Sequence, residues 1–277
     1  MHKQPTHHVP AGQARLAIWD AGEGVPVVLL HAGVADSRMW HGQFAALATH
    51  AHAIAYDRRG FGQTPTAPGN FSQTDDLLAV LDAIAPNRPA LLVGCSQGGR
   101  IAIDTALAHP ARVAGLVLIA AAVSGAPAVP LPPANHRLEA AIAAAEDASD
   151  LARVNAFEAH LWLDGPSAPE ARVPGPVRDL FLDMNGIALA APPQGRTLPP
   201  PPAFDRLEQL ATPTNVAWGN LDCADVIARG HAMATRVPNA QRTVIPGTAH
   251  LPSLEAPGAV LALIEAMLAT LGPRCIR

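Results

Sequence analysis

Ser96 is the residue around which the chain's chemistry can be read. It stands in Gly94-Cys95-Ser96-Gln97-Gly98-Gly99, directly after the apolar run Leu91-Leu92-Val93 and directly before a helix-like pattern. A Gly-x-Ser-x-Gly segment between a strand and a helix predicts a sharp turn with an exposed hydroxyl at its apex. Glycines at 94 and 98 lack a Cβ, so strand and helix can approach where a side chain would clash. A helix starting near Gln97 aims backbone N–H groups at negative charge forming beside Ser96.

A serine hydroxyl is a weak nucleophile near neutral pH and needs an adjacent base. That base should be a histidine held in one tautomer by a carboxylate, on loops at the same end of the sheet. His250 fits: it lies in Gly247-Thr248-Ala249-His250, five residues after Ile245 and just before the last helical pattern. His31 also ends an apolar run, and His109 ends the helix that starts beside Ser96, so His109 points away. For the acid, Asp222 follows Gly219-Asn220-Leu221, and Asp225 stands three residues on, where the next helix should begin. Asp222 preserves the order Ser, Asp, His and is the candidate acid. Asp225 is the alternative, better suited to a helix first turn. Asp57 ends a strand too, but Arg58 and Arg59 follow it, which suggests a loop-tethering ion pair. The oxyanion of a tetrahedral intermediate needs two N–H donors. One is the backbone of Gln97, and the other is expected from the loop after Leu30.

These residues need a scaffold, and the chain predicts one. Ala14–Trp19, Val27–Leu30, Ala53–Tyr56, Pro89–Val93, Val113–Ile119, Asn215–Trp218 and Arg242–Ile245 read as strands. Val27–Leu30 is a continuous apolar run and Val113–Ile119 another, the mark of strands buried on both faces. Helical patterns alternate with them: Ser37–Leu47, Asp75–Ala85, Gln97 to about His109, Ala224–Arg236 and Pro257–Leu271. The fold class predicted is α/β, a doubly wound and mostly parallel sheet. The rhythm breaks from Gly125 to about Ala211. Proline clusters there border helical patterns near Asn135–Ala148, Leu151–Trp162 and Val177–Leu189. The division expected is a core of 1–124 and 212–277 with a helical insertion at 125–211.

Composition narrows the classes. The chain has 277 residues, 49% hydrophobic, and a formal net charge of −4, which offers no basic footprint for nucleic acid. Three scattered cysteines (Cys95, Cys223 and Cys275) imply no disulfide framework. Of the twelve histidines, His2, His7 and His8 read as a polar N-terminal tail, and His50 and His52 as solvated flanks of a strand. No metal-ligand spacing is visible, and no metal or cofactor is implied. Met1-His2-Lys3-Gln4-Pro5 lacks an apolar signal core, and Val113–Val123 is too short to span a membrane. A soluble, cytoplasmic protein without a membrane or nucleic-acid partner is expected.

Five segments in order carry a resemblance: His31-Ala32-Gly33, Tyr56-Asp57-Arg58-Arg59-Gly60-Phe61-Gly62, Gly94 to Gly99, Gly219-Asn220-Leu221-Asp222 and Gly247-Thr248-Ala249-His250. Over about residues 14–272 the chain resembles the α/β-hydrolase superfamily with a helical cap. It is most similar there to small bacterial esterases and enol-lactonase-like enzymes. Ala32 departs from the glycine usual after the histidine. The resemblance implies a structural role for His31 and a second oxyanion donor at Gly33, with Val34 as its neighbour. It implies that the cap roofs the site, which makes Trp40, Phe157, Trp162, Phe181 and Met184 pocket candidates, Trp40 and Trp162 foremost. Some relatives place their acid after the strand here at 113–119, but Ala120–Ser124 holds no carboxylate. Dehalogenase and epoxide-hydrolase relatives place a carboxylate where Ser96 stands.

The function expected is cofactor-free cleavage of a small ester or lactone through an acyl-enzyme on Ser96, with His250 as base and then acid and Asp222 orienting it. Carbon–carbon bond hydrolysis or perhydrolysis with the same triad is the alternative, and a non-catalytic receptor is a third reading. The oligomeric state is left open.

Overall fold

The structure, a computed structural model, describes residues 4–238 and 240–272. Met1, His2, Lys3 and Cys275 therefore lie outside the described residues. Eight strands form one sheet in the order β1-β2-β4-β3-β5-β6-β7-β8. They are β1 (His7–Ala11), β2 (Ala14–Ala21), β3 (Pro26–Leu30), β4 (His52–Tyr56), β5 (Ala90–Cys95), β6 (Val113–Ile119), β7 (Thr214–Gly219) and β8 (Gln241–Ile245). The β1–β2 and β2–β4 pairs are antiparallel, and the other five pairs are parallel. This is the doubly wound, mostly parallel sheet that the strand rhythm predicts, and it is the α/β-hydrolase fold that the resemblance implies.

The central strands are buried because helices cover both faces. On one face Val27, Leu29, Leu91, Val93, Val117 and Ile119 pack with residues of α1 (His41–Leu47) and α9 (Pro257–Leu271). On the other, Val28, Leu30, Leu92, Leu116 and Leu118 pack with α2 (Gln73–Ile84), α3 (Gln97–Ala108) and Met233 of α7 (Ala224–Arg236). Successive residues of one strand thus feed opposite cores, as the period-two alternation of side chains requires.

Strand β1 corrects the reading of a polar tail. Val9 and Ala11 turn inward while His7 and His8 stay exposed. Two buried positions in five residues, on either side of Pro10, are too short a pattern to stand out from a loop. His52 is likewise no free surface residue: it opens β4, and its Nε2 lies 3.0 Å from Asp20 Oδ2.

Chain order reverses beside β3, which lies between β4 and β5. Loops leaving the C-terminal ends of neighbouring strands there face one crevice. Ser96 leaves β5, His31–Gly33 leaves β3, Asp222 follows β7, and His250 follows β8.

The 125–211 segment between β6 and β7 carries α4 (Pro133–Asp147), α5 (Leu151–Glu158) and α6 (Pro176–Ala190). The helix predicted to run from Leu151 to Trp162 changes character at Ala159, where a π-helical turn continues to Asp164. Gly165, at φ +93°, ends it against the core: a Cβ there would lie 2.3 Å from the Leu221 carbonyl oxygen.

The glycines around Ser96 allow a test of the turn. A Cβ on Gly98 would stand 2.3 Å from the Leu30 carbonyl oxygen and 2.8 Å from that of His31. Both obstacles are backbone, so β3 and α3 must separate. Gly98→Ala should cost about 2–3 kcal/mol and lower activity with it. Gly258→Ala in α9, where nothing lies within 4 Å, is the control and should be neutral or slightly stabilising. Urea midpoints of the two variants check this; equal midpoints would contradict it.

Candidate active site

Ser96 occupies the turn between β5 and α3 with φ +52° and ψ −114°, a conformation that residues with a side chain rarely adopt. Three contacts hold it there. The Ser96 N–H donates to Ile119 O at 2.9 Å, and the Ala122 N–H donates to Ser96 O at 3.0 Å. Gly94 packs so closely on the start of α3 that a Cβ would lie 2.5 Å from Gly98 O. The strain is local and is supported by the β5–β6 pairing around it.

The two loops carrying Asp222 and His250 are fastened to each other. The Leu221 N–H donates to Thr248 O at 2.9 Å, and the Gly247 N–H donates to Asn220 Oδ1 at 2.7 Å. Gly219 lets them close, since a Cβ there would meet Ala249 O and Thr248 O at 2.2 Å. As a result His250 Nδ1 lies 2.9 Å from Asp222 Oδ2 and 3.1 Å from Oδ1. Both side chains are almost fully buried. Asp222 Oδ1 also accepts the Cys223 N–H at 2.7 Å, which fixes the carboxylate plane. An ionised carboxylate here makes Nδ1 the protonated nitrogen and leaves Nε2 free to accept a proton. Asp225 is elsewhere: it sits in the first turn of α7 and pairs with Arg229 at 2.6 Å.

His250 touches the Ser96 turn through the neighbouring residue, since the Cys95 Sγ donates to His250 O at 3.5 Å. Burial pushes the Cys95 thiol far up, with the Asp222 and Glu255 carboxylates adding to the effect, so it stays protonated. Two residues that spacing gave no reason to select complete this loop. Glu255, in the short helix α8 (Pro252–Glu255), accepts the Ala249 N–H at 3.0 Å. Arg172 pairs with Glu255 and donates to Gly247 O at 2.8 Å. Burial raises the Glu255 carboxyl above its ordinary range, and the Arg172 guanidinium opposes that shift. Charge 83 residues away in sequence leaves no local signal.

Facing Ser96 across the crevice is the loop after β3. His31 is fully buried; its Nδ1 lies 2.8 Å from Ala32 O, and its Nε2 accepts the Arg58 N–H at 3.0 Å. Burial, and then the Arg58 charge, hold this imidazole well below the usual histidine range, so it is neutral. Gly33 packs on Gln97: a Cβ at 33 would lie 3.3 Å from Gln97 Oε1. Gly33 and Gln97, the expected donors, are therefore neighbours in space.

Asp57 corrects the ion-pair reading. Its Oδ1 accepts the Ser37 N–H at 2.9 Å and its Oδ2 the Gln63 N–H at 2.7 Å. It tethers two loops through amides, not through its flanking arginines. Burial, with Asp36 adding to it, raises its carboxyl to about 6. Arg59 turns instead to Asp76 at 2.7 Å.

The aromatic candidates divide. Trp162 is half-buried and its ring lies 4.6 Å from the His250 ring, while its carbonyl accepts the His250 N–H at 3.1 Å. Trp40, Phe181 and Met184 are fully buried in one apolar cluster, and Phe157 packs partly buried against it. Among the described residues, no group of three His, Cys, Asp or Glu side chains could hold a metal ion. Among them, too, no helix is long and apolar enough to cross a membrane.

A mostly parallel sheet that gathers a strained serine turn and a buried carboxylate–imidazole pair at one end has the layout of an α/β hydrolytic enzyme. The model of the alpha/beta hydrolase family matches residues 27–263, and the chain belongs to that family. It is 26% identical over 260 residues to a pimeloyl-[acyl-carrier protein] methyl ester esterase of Aeromonas hydrophila, covering 88% of this chain and 95% of that one. It is 42% identical to a putative carbamate hydrolase of Variovorax paradoxus over 98 residues, 33% of this chain; the match spans only 36% of that protein's length. Among solved structures, a thermophilic esterase from Thermogutta terrifontis is similar with a TM-score of 0.75 and 26% identity, covering 98% of this chain and 99% of that one.

Proposed function

We propose that the protein is a cofactor-free serine hydrolase that cleaves a carboxylic ester or lactone through an acyl-enzyme on Ser96. The observation that carries this reading is the buried His250–Asp222 pair at 2.9 Å, on a loop that touches Cys95 beside the strained serine. In this reading His250 Nε2 takes the Ser96 proton as Oγ attacks the acyl carbon. Asp222 holds the Nδ1–H tautomer and stabilises the imidazolium that forms. The N–H groups of Gln97 and Gly33 receive the oxyanion. His250 then returns its proton to the leaving alkoxide, and water repeats the sequence to free the acid.

Residues 125–211 act in this account as a cap over the site. Supporting it are the Trp162–His250 contact, the Arg172 bond to Gly247 O and the Arg38–Asp183 ion pair at 2.5 Å, each joining this segment to a core loop. Trp162 is then a pocket wall. Trp162→Ala should change the ratio of kcat/KM for long and short acyl esters by about tenfold or more, with a smaller effect on stability. An unchanged acyl-length profile together with a large fall in melting temperature would make Trp162 packing alone.

The reading is tested by rapid mixing with p-nitrophenyl esters and a panel of lactones, carbamates and vinylogous diketones. A burst of nitrophenol matching the enzyme concentration, followed by a slower steady state, is expected of an acyl-enzyme whose hydrolysis is slow. Turnover confined to the diketones would replace ester cleavage with carbon–carbon bond hydrolysis, and no turnover on any member would favour a receptor.

A further inference from the structure

Arg58 is the cation that the account above leaves unexplained. It is 4% exposed, and among the described residues no carboxylate lies within ion-pairing distance of it. Its neighbour Arg59 has Asp76, whereas every hydrogen-bond partner of the Arg58 side chain is a neutral acceptor. The neighbouring Asp57 charge favours the Arg58 cation only from a distance, and burying a guanidinium without a counter-charge in contact is costly, so a fold that does so needs a reason. Burial lowers its pKa to about 10, which leaves it charged at neutral pH.

The partners point to the reason. Nη2 donates to Ala32 O at 2.9 Å. That carbonyl belongs to the same peptide unit as the Gly33 N–H, one of the two oxyanion donors assigned above. A charged donor on the oxygen fixes the peptide plane and polarises the N–H at its other end. Nη1 donates to Gln97 Oε1, the oxygen that packs against Gly33. Left free, that amide oxygen could turn its lone pairs toward a developing negative charge. Phe61 lies over the guanidinium at 4.6 Å from its ring centroid and keeps the arrangement in place.

We propose that Arg58 is a positioning residue of the oxyanion hole: it aims and polarises the Ala32–Gly33 peptide, holds the Gln97 amide oxygen aside, and supplies positive charge where the oxyanion forms. This rests on the serine hydrolase reading. Because the oxyanion exists only in the transition state and the intermediate, the effect falls on kcat and not on KM.

The test compares the parent, Arg58→Met, Arg58→Lys and Ser96→Ala on one p-nitrophenyl ester. Rates are divided by the active sites that a fluorophosphonate titrates in the parent and the Arg58 variants, and by protein concentration for Ser96→Ala, and affinity is measured for a trifluoromethyl ketone of matching acyl length. Removing a whole oxyanion donor costs about 10²–10³ in kcat. Arg58→Met keeps both donors but loosens one, so kcat should fall about 30–100-fold with KM within about threefold. The ketone, which forms a tetrahedral oxyanion adduct, should weaken by a similar factor. Arg58→Lys keeps the charge but reaches one acceptor instead of two, and should fall between. A per-site kcat and ketone affinity within twofold of the parent, with only a lower melting temperature, would overturn the proposal. If Arg58→Met does not fold, Arg58→Lys decides: an unchanged kcat overturns the proposal, and a loss shared by kcat and ketone affinity supports it. Ser96→Ala separates the two claims. If that variant turns over as fast as the parent, the serine hydrolase reading fails. If only the Arg58 variants match the parent, this inference alone fails.

Discussion

Ser96→Ala should remain folded while its ester turnover falls by about 10⁴–10⁶-fold. The size of the loss follows from the chemistry. Without Oγ no acyl-enzyme forms, and what remains is the help that the oxyanion donors give to direct attack by water. The fold should survive because the strain at φ +52° arises from the Cβ, which serine and alanine share. Alanine adopts a similarly positive φ elsewhere in this chain, at Ala120 with φ +46°. Turnover and melting temperature are measured together. A melting temperature within a few degrees of the parent is expected, and a variant that keeps more than a tenth of parental turnover would mean that Ser96 is not the nucleophile.

Asp222→Asn and Asp225→Asn should fail in different ways. Asparagine at 222 can still accept the Cys223 N–H through its oxygen, so the loop keeps its shape. Its other end would then present an NH₂ to His250 Nδ1, now 2.9 Å from a carboxylate oxygen. Nδ1 must become an acceptor, Nε2 takes the proton, and the base is lost. Turnover should fall about 10⁴-fold with little change in stability. Asp225 touches no part of the site. Its substitution removes a part-exposed pair with Arg229 and a favourable charge in the first turn of α7. That should cost about 0.3–1 kcal/mol and leave turnover within about tenfold. Kinetics and thermal melts of both variants check this; a dead Asp225→Asn beside a near-normal Asp222→Asn would assign the acid to Asp225.

The parallel sheet was legible because its strands are short apolar runs bounded by turn residues, as in Val27–Leu30 and Val113–Ile119. The serine turn was legible because the glycines that permit it are close in sequence to the residue they serve. Asp222 and His250 could be placed at strand ends, and Asp222 preferred to Asp225 by its place on the loop, but the Gly219 contact and the loop-to-loop hydrogen bonds that bring the Asp222 carboxylate to the imidazole join segments far apart in sequence. What escaped was long-range. Strand β1 is defined by pairing with β2, not by its own pattern. The π-helical turn at Ala159–Asp164 has the same apolar spacing as an ordinary helix end. The sequence suggests an ion pair with Asp57 for Arg58 and gives no signal for Glu255, whereas the fold buries one between His31 and Gln97 and sets the other under the Ala249 N–H.

The central claim, a nucleophile at Ser96, is tested most directly by labelling the intact protein with a fluorophosphonate and mapping the adduct by peptide mass spectrometry. One adduct per chain is expected, on Ser96, formed at a rate that drops when Asp222 is replaced by asparagine. An adduct on another residue with Ser96 unmodified, or no adduct while ester turnover continues, would contradict it.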